Sequence, residues 1–179
     1  MINLIVLNTD EIPTSISEDV KELLWNKDVP IPDNLVKNLE LLMCEFVEEL
    51  PKLPNSLRKL FCNSVKVLPD NLPEFLEVLM CSSVINLPTK LPSTLKHLSC
   101  NSAVSLPKLP EGLETMQCDE IEIITELPDS LEILYCYSAM QLPDKLPKNL
   151  SEIHCNLIVN LPENTDNESV ISVYRGYKI

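Results

Sequence analysis

The chain has 179 residues, with 27 acidic side chains against 14 basic ones and a net charge of −13. Such a surface repels phosphate backbones, which excludes nucleic acid as a partner, but it attracts basic protein surfaces. Hydrophobic residues make up 45% of the chain and glycines number two; that is ample for a core and too few glycines for loops that cradle phosphates.

Taken in chain order, the sequence returns to one pattern, Leu-x-x-Leu-x-Cys. Met1-x-x-Leu4-x-Val6 opens it with valine in the cysteine column, and Val20-x-x-Leu23-x-Trp25 follows with tryptophan there. The cysteines then come at Cys44, Cys62, Cys81, Cys100, Cys118, Cys136 and Cys155, in steps of 18, 19, 19, 18, 18 and 19 residues. Val170-x-x-Val173-x-Arg175 fits loosely at the far end. Between successive strands lies a doubled Leu-Pro, as in Leu87-Pro88 and Leu91-Pro92. The 18-residue units have one residue fewer between the doublets, as in Leu50-Pro51-Lys52-Leu53-Pro54 and Leu106-Pro107-Lys108-Leu109-Pro110. Ile124-Thr125-Glu126-Leu127-Pro128 is the same short form without its first proline. Of 15 prolines, all but Pro30 sit at these template positions.

The pattern dictates a shape. Leu-x-x-Leu-x-Cys is a short strand that turns its apolar residues to one side. Proline lacks the N–H and disfavours helix in the residue before it, so each Leu-Pro return runs as polyproline or turn. One unit cannot bury its own leucines, whereas stacked units bury them against each other. The expected fold is a β-rich solenoid of about ten parallel strands on a concave face, backed by a convex polyproline wall. The repeat occupies 1–179 as a single domain, with an irregular terminal repeat at 161–179.

These motifs resemble the leucine-rich repeat. The doubled Leu-Pro is similar to the short repeats of bacterial secreted effectors and of amoebal and giant-virus proteins. The resemblance implies a horseshoe that holds protein partners. Two features depart from that class. Val65, Val84, Ala103, Ile121, Ala139 and Ile158 replace the usual asparagine after the strand, so no buried asparagine ladder is expected. The unit is also slightly shorter. The ubiquitin-ligase domain that follows the repeats in some effectors is not expected, because the repeat runs on to Ile179.

The cysteine column reads as core packing. Cysteine packs as a small apolar residue, and here it shares its column with valine and tryptophan, which bind no metal. Seven thiols cannot all pair, no C-x-x-C occurs, and parallel neighbours about 4.8 Å apart stand too far for a disulfide. Reduced, buried thiols, no metal and no cofactor are expected, which points to a reducing compartment. That is the cytoplasm, or a host's cytoplasm were the source a virus or a secreting bacterium. Met1–Val6 is too short an apolar run for a signal peptide, and no run reaches transmembrane length. His154 adjoins Cys155, but adjacent strand residues point to opposite faces, and His97 lies on the outward side. No acid–base pair is positioned, and no enzyme activity is expected.

Recognition is therefore expected on the outward rows. Lys21, Glu40, Arg58, Glu77, Lys96 and Glu114 alternate in sign and read as an ion ladder that fixes register; Glu132 then breaks the alternation. The next outward row runs Ile5, Leu24, Met43, Phe61, Met80, Ser99, Gln117, Tyr135, His154 and Tyr174. Its candidate binding residues are Met43, Phe61 and Met80 with Phe46 near them, and a more polar patch of Tyr135, Tyr137 and His154. Contiguous exposed apolar surface marks interaction sites, and methionine and tyrosine suit them. A third row, from Asn26 to Asn156, consists mainly of hydrogen-bonding residues at strand ends. The expected function is a non-catalytic protein-binding module whose partner carries basic patches. The alternative is a structural protein that self-associates through its open ends, giving a homo-oligomer through the N-terminal edge near Ile2 and Ile5.

Overall fold

The computed structural model describes residues 4–7, 17–33 and 37–156. Among these described residues nine parallel strands form one sheet in strict chain order. They are β1 (Leu4–Leu7), β2 (Glu22–Trp25), β3 (Leu41–Met43), β4 (Lys59–Phe61), β5 (Val78–Met80), β6 (His97–Ser99), β7 (Thr115–Gln117), β8 (Ile133–Tyr135) and β9 (Glu152–His154). The tenth expected strand, with Tyr174 and Arg175, lies outside the described residues, as does Ile158.

Register repeats the sequence template. Leu42, Leu60, Leu79, Leu98, Met116, Leu134 and Ile153 stand opposite one another. All of them are buried. Trp25 and the seven cysteines form the next inward column, each 0% exposed. Val47, Val65, Val84, Ala103, Ile121 and Ala139 line the position expected of an asparagine, and all are buried. A fully buried leucine contributes about 1.5–3 kcal/mol relative to an exposed one, so the stack is held by hydrophobic burial shared between neighbouring coils.

Two turns close each coil and satisfy backbone groups that the short strands leave over. After the proline wall, the first leucine of the next unit donates its N–H to a proline carbonyl three residues back. Leu57 to Pro54, Leu76 to Pro73 and Leu95 to Pro92 each span 3.1 Å. After the strand, Val65 donates to Cys62 and Val84 to Cys81, again at 3.1 Å. Pro88, Pro92, Pro143 and Pro147 are buried in the wall.

The start of the sheet corrects one expectation. Leu7, not Val6, stands opposite Trp25, and Ile5 stands opposite Leu23 rather than Leu24. The slip is one residue. Leu4 to Leu7 are all apolar, so no polar–apolar alternation marks the buried face. Either offset also keeps the distance to Trp25 within the 18- or 19-residue step.

Candidate functional site

The side of the sheet away from the core carries the candidate site. In each strand from β3 to β9 the central residue is buried, and the flanking residues are half-buried or exposed. Met43, Phe61 and Met80 stand at successive register positions on β3, β4 and β5. All three are half-buried. They form a row of large, adaptable side chains on one face.

The row continues through Ser99 and Gln117 to Tyr135 and His154. Here the rings meet. Tyr135 and His154 stack with centroids 4.5 Å apart and planes 12° from parallel. Tyr137, in the turn just after Cys136, tilts at 55° to Tyr135 with centroids 6.5 Å apart. Each aromatic pair of this kind contributes about 0.5–1.5 kcal/mol beyond its buried area, so the rings are preorganised. His154 Nε2 lies 3.3 Å from Glu152 Oε2.

Phe46 is not part of this surface. It sits in the turn after Cys44, 57% exposed, and lines a separate groove with Asp28, Val29, Pro30 and Glu48. Two residues beyond an inward cysteine the chain has already left the strand, so nearness in sequence to Met43 does not bring the two onto one row.

Two parts of the site were passed over in the sequence. The first is another open-face row, Leu41, Lys59, Val78, His97, Thr115 and Ile133, which the register aligns beside the methionine–aromatic row. Its signal is the second variable residue of Leu-x-x-Leu. The second is Asp119. Its Oδ2 accepts from Gln117 Nε2 at 3.2 Å, while its buried Oδ1 meets no hydrogen-bond donor among the described residues. Burial raises the Asp119 carboxyl above its ordinary 3.8; the Gln117 hydrogen bond opposes this, and the nearby Glu120 adds to it. In the sequence Asp119 is one polar strand-end residue among many.

The charge ladder forms in couples. Lys21 bridges Glu40 at 3.1 Å, Arg58 bridges Glu77 at 2.7 Å and Lys96 bridges Glu114 at 3.0 Å. Glu132 follows Glu114 in the row and has no ion-pair partner among the described residues. The pairs are solvent-exposed and screened by water, so they fix register more than they add stability.

All seven thiols are free and buried. Burial, with a smaller push from Glu45, lifts Cys44 from 9.0 to about 12. Burial first, then Asp119, does the same to Cys100, and burial with Cys155 and Asp119 to Cys136. Cys62, Cys81, Cys118 and Cys155 are also raised, chiefly by burial. The thiols act instead as weak donors across the coils. Cys44 Sγ points to the Phe61 carbonyl at 3.5 Å, and Cys81 Sγ to that of Ser99 at 3.5 Å. The backbone N–H of each of these cysteines donates to the same carbonyl. Among the described residues no three His, Cys, Asp or Glu side chains group to hold a metal ion. Among the described residues no helix is long and apolar enough to cross a membrane.

No family model matches the sequence. No curated protein matches it either. Solved structures do. YopM from Yersinia enterocolitica is 22% identical, with a TM-score of 0.47, over 84% of this chain and 46% of that one. A Shigella effector leucine-rich-repeat domain is 26% identical, with a TM-score of 0.46, over 82% and 63%. A leucine-rich-repeat protein from Bacteroides ovatus is 15% identical, with a TM-score of 0.40, over 86% and 48%. The chain thus spans less than two thirds of the length of each. Its own repeat, parallel register and proline wall give it the fold of a leucine-rich-repeat solenoid, similar to those of bacterial proteins that include an effector domain.

Proposed function

We propose that residues 1–179 act as one non-catalytic module that binds a protein partner through the concave face of the sheet. The observation that carries this reading is the preorganised aromatic cluster of Tyr135, Tyr137 and His154. Stacked rings offer contact area at little entropic cost. The Met43–Phe61–Met80 row extends the surface with side chains that repack easily. A net charge of −13 adds long-range attraction for a basic partner. Nucleic acid and membranes do not suit it. The reduced, buried thiols suit a reducing compartment such as the cytoplasm.

Replacing Phe61 and Tyr135 together by serine tests the reading. Capture of the partner bound by the unaltered chain should fall at least tenfold, with the circular dichroism spectrum unchanged. Undiminished capture by a folded double variant refutes it. A second reading is self-association. It is favoured by the position of β1, which begins the sheet and pairs only with β2 among the described residues; an open strand edge is a template for another chain. Sedimentation across a concentration series decides this, and a strict monomer removes it.

A further inference from the structure

Beside the sheet, past the turn that follows each strand, the coils touch a second time. Asn86 pairs with Ser105, and Ile123 with Gln141, as isolated parallel bridges. Val104 donates its N–H to Ile85 at 3.2 Å, and Gln141 donates to Glu122 at 3.2 Å. These four coils present one side ladder with a gap in the middle. No such bridge joins Ser105 to Ile123 among the described residues. No backbone hydrogen bond joins Val104 or Ser105 to Glu122 or Ile123 among the described residues, which leaves the facing backbones of the two coils open to each other across the gap.

A groove of about 1020 Å³ opens at that gap, at the upper end of ligand-pocket volumes, roughly 300–1,000 Å³. Val104 and Ile123 face it, 61% and 57% exposed. Exposed apolar side chains recur on this side of the coils, as at Ile85 and Met140, but Val104 and Ile123 are the ones that line the groove. Around them stand Glu120, Glu122 and Glu126, none of which has an ion-pair partner among the described residues. The groove's lysine, Lys108, is 3.9 Å from Glu111, and Asp129 at its end is held by Lys148 at 2.9 Å. The uncompensated charge of the groove is negative. The gap falls between the two consecutive 18-residue units, where Thr125 stands in place of the first proline.

We propose that this groove binds an extended, lysine- or arginine-bearing segment of a partner protein, its backbone meeting the open N–H and C=O groups and its cations meeting Glu120, Glu122 and Glu126. Addition of a strand to open backbone gives affinity, and the alternate side chains give specificity. Here the alternation is apolar against Val104 and Ile123, and basic against the carboxylates. The site is distinct from the concave face and does not depend on it.

The test uses a ten-residue peptide of alternating lysine and valine, fluorescently labelled, with anisotropy as the readout on the full chain. Saturable binding is expected at low salt, weakening several-fold as salt screens the charges. The same peptide with glutamate for lysine should not bind. Glu122→Lys with Glu126→Lys should weaken binding at least tenfold. The milder Glu122→Gln with Glu126→Gln, which keeps shape and fold, should weaken it several-fold. Phe61→Ser with Tyr135→Ser should change it less than twofold. Absence of saturable binding, equal binding of the glutamate peptide, no loss in the glutamine variant, or an equal loss in the concave-face variant overturns the proposal.

Discussion

Raising the pH should unfold this protein through its own core. Cys44, Cys100 and Cys136 each have an ordinary pKa of 9.0 that burial lifts to about 12 in the folded chain. A group whose folded pKa is raised contributes stability that is complete below pH 9 and is lost as pH climbs towards 12. At pH 10 an unfolded thiol is about nine-tenths thiolate and a buried one about a hundredth, which favours the unfolded state by roughly 1–2 kcal/mol per thiol. Three thiols together remove about 4 kcal/mol, against a total stability of the order of 5–15 kcal/mol for a domain. The assay is urea unfolding followed by circular dichroism at pH 7 and pH 10, with reductant present. Tyrosine and lysine also titrate near pH 10, so a variant carrying alanine at Cys44, Cys100 and Cys136 serves as the control. Its stability should fall by about 4 kcal/mol less between the two pH values. An equal fall in both proteins refutes the argument, because the thiols would then be as easily ionised in the folded chain as in the unfolded one.

A mild disulfide reagent at pH 8 should find essentially no thiol in the native chain and all seven after denaturation, since a thiolate must form and be reached before it reacts; rapid native labelling of several sites contradicts the buried column. Glu132→Lys should restore the alternation of charge next to Glu114 and raise the unfolding free energy slightly, by about 0.3 kcal/mol at low salt, read as a small rise in the urea midpoint. If the gain persists unchanged in 1 M salt, it is not electrostatic.

Much of the fold was legible because a single period fixed the inward residues. Cysteine, leucine and the small apolar position recur at constant offsets, and every described cysteine column member from Trp25 to Cys155 is buried where that period puts it. Legibility failed where the local pattern was uniform or the chain had already turned. Leu4–Leu7 offers no polar residue to mark a face, so its register slipped by one. Phe46 lies beyond the strand, where period-two reasoning no longer applies. The stacking of Tyr135 on His154 was half legible: the row placed them side by side, but ring orientation is set by side-chain torsions that a row does not specify. The side groove was not legible at all. Ile85, Val104 and Met140 recur four residues after their cysteines and are more than half exposed, yet an apolar residue at a fixed offset reads as core until the backbone path is known.

The coupled bridges Lys21–Glu40, Arg58–Glu77 and Lys96–Glu114 impose a parity on the array. Loss of any one coil from that of Glu40 to that of Lys96 sets like charges side by side, as when Arg58 would meet Lys96. Removal or insertion of two coils leaves the order intact. Changes of length are accordingly tolerated best in even numbers, so the natural module of growth is the couple of coils and not the single one.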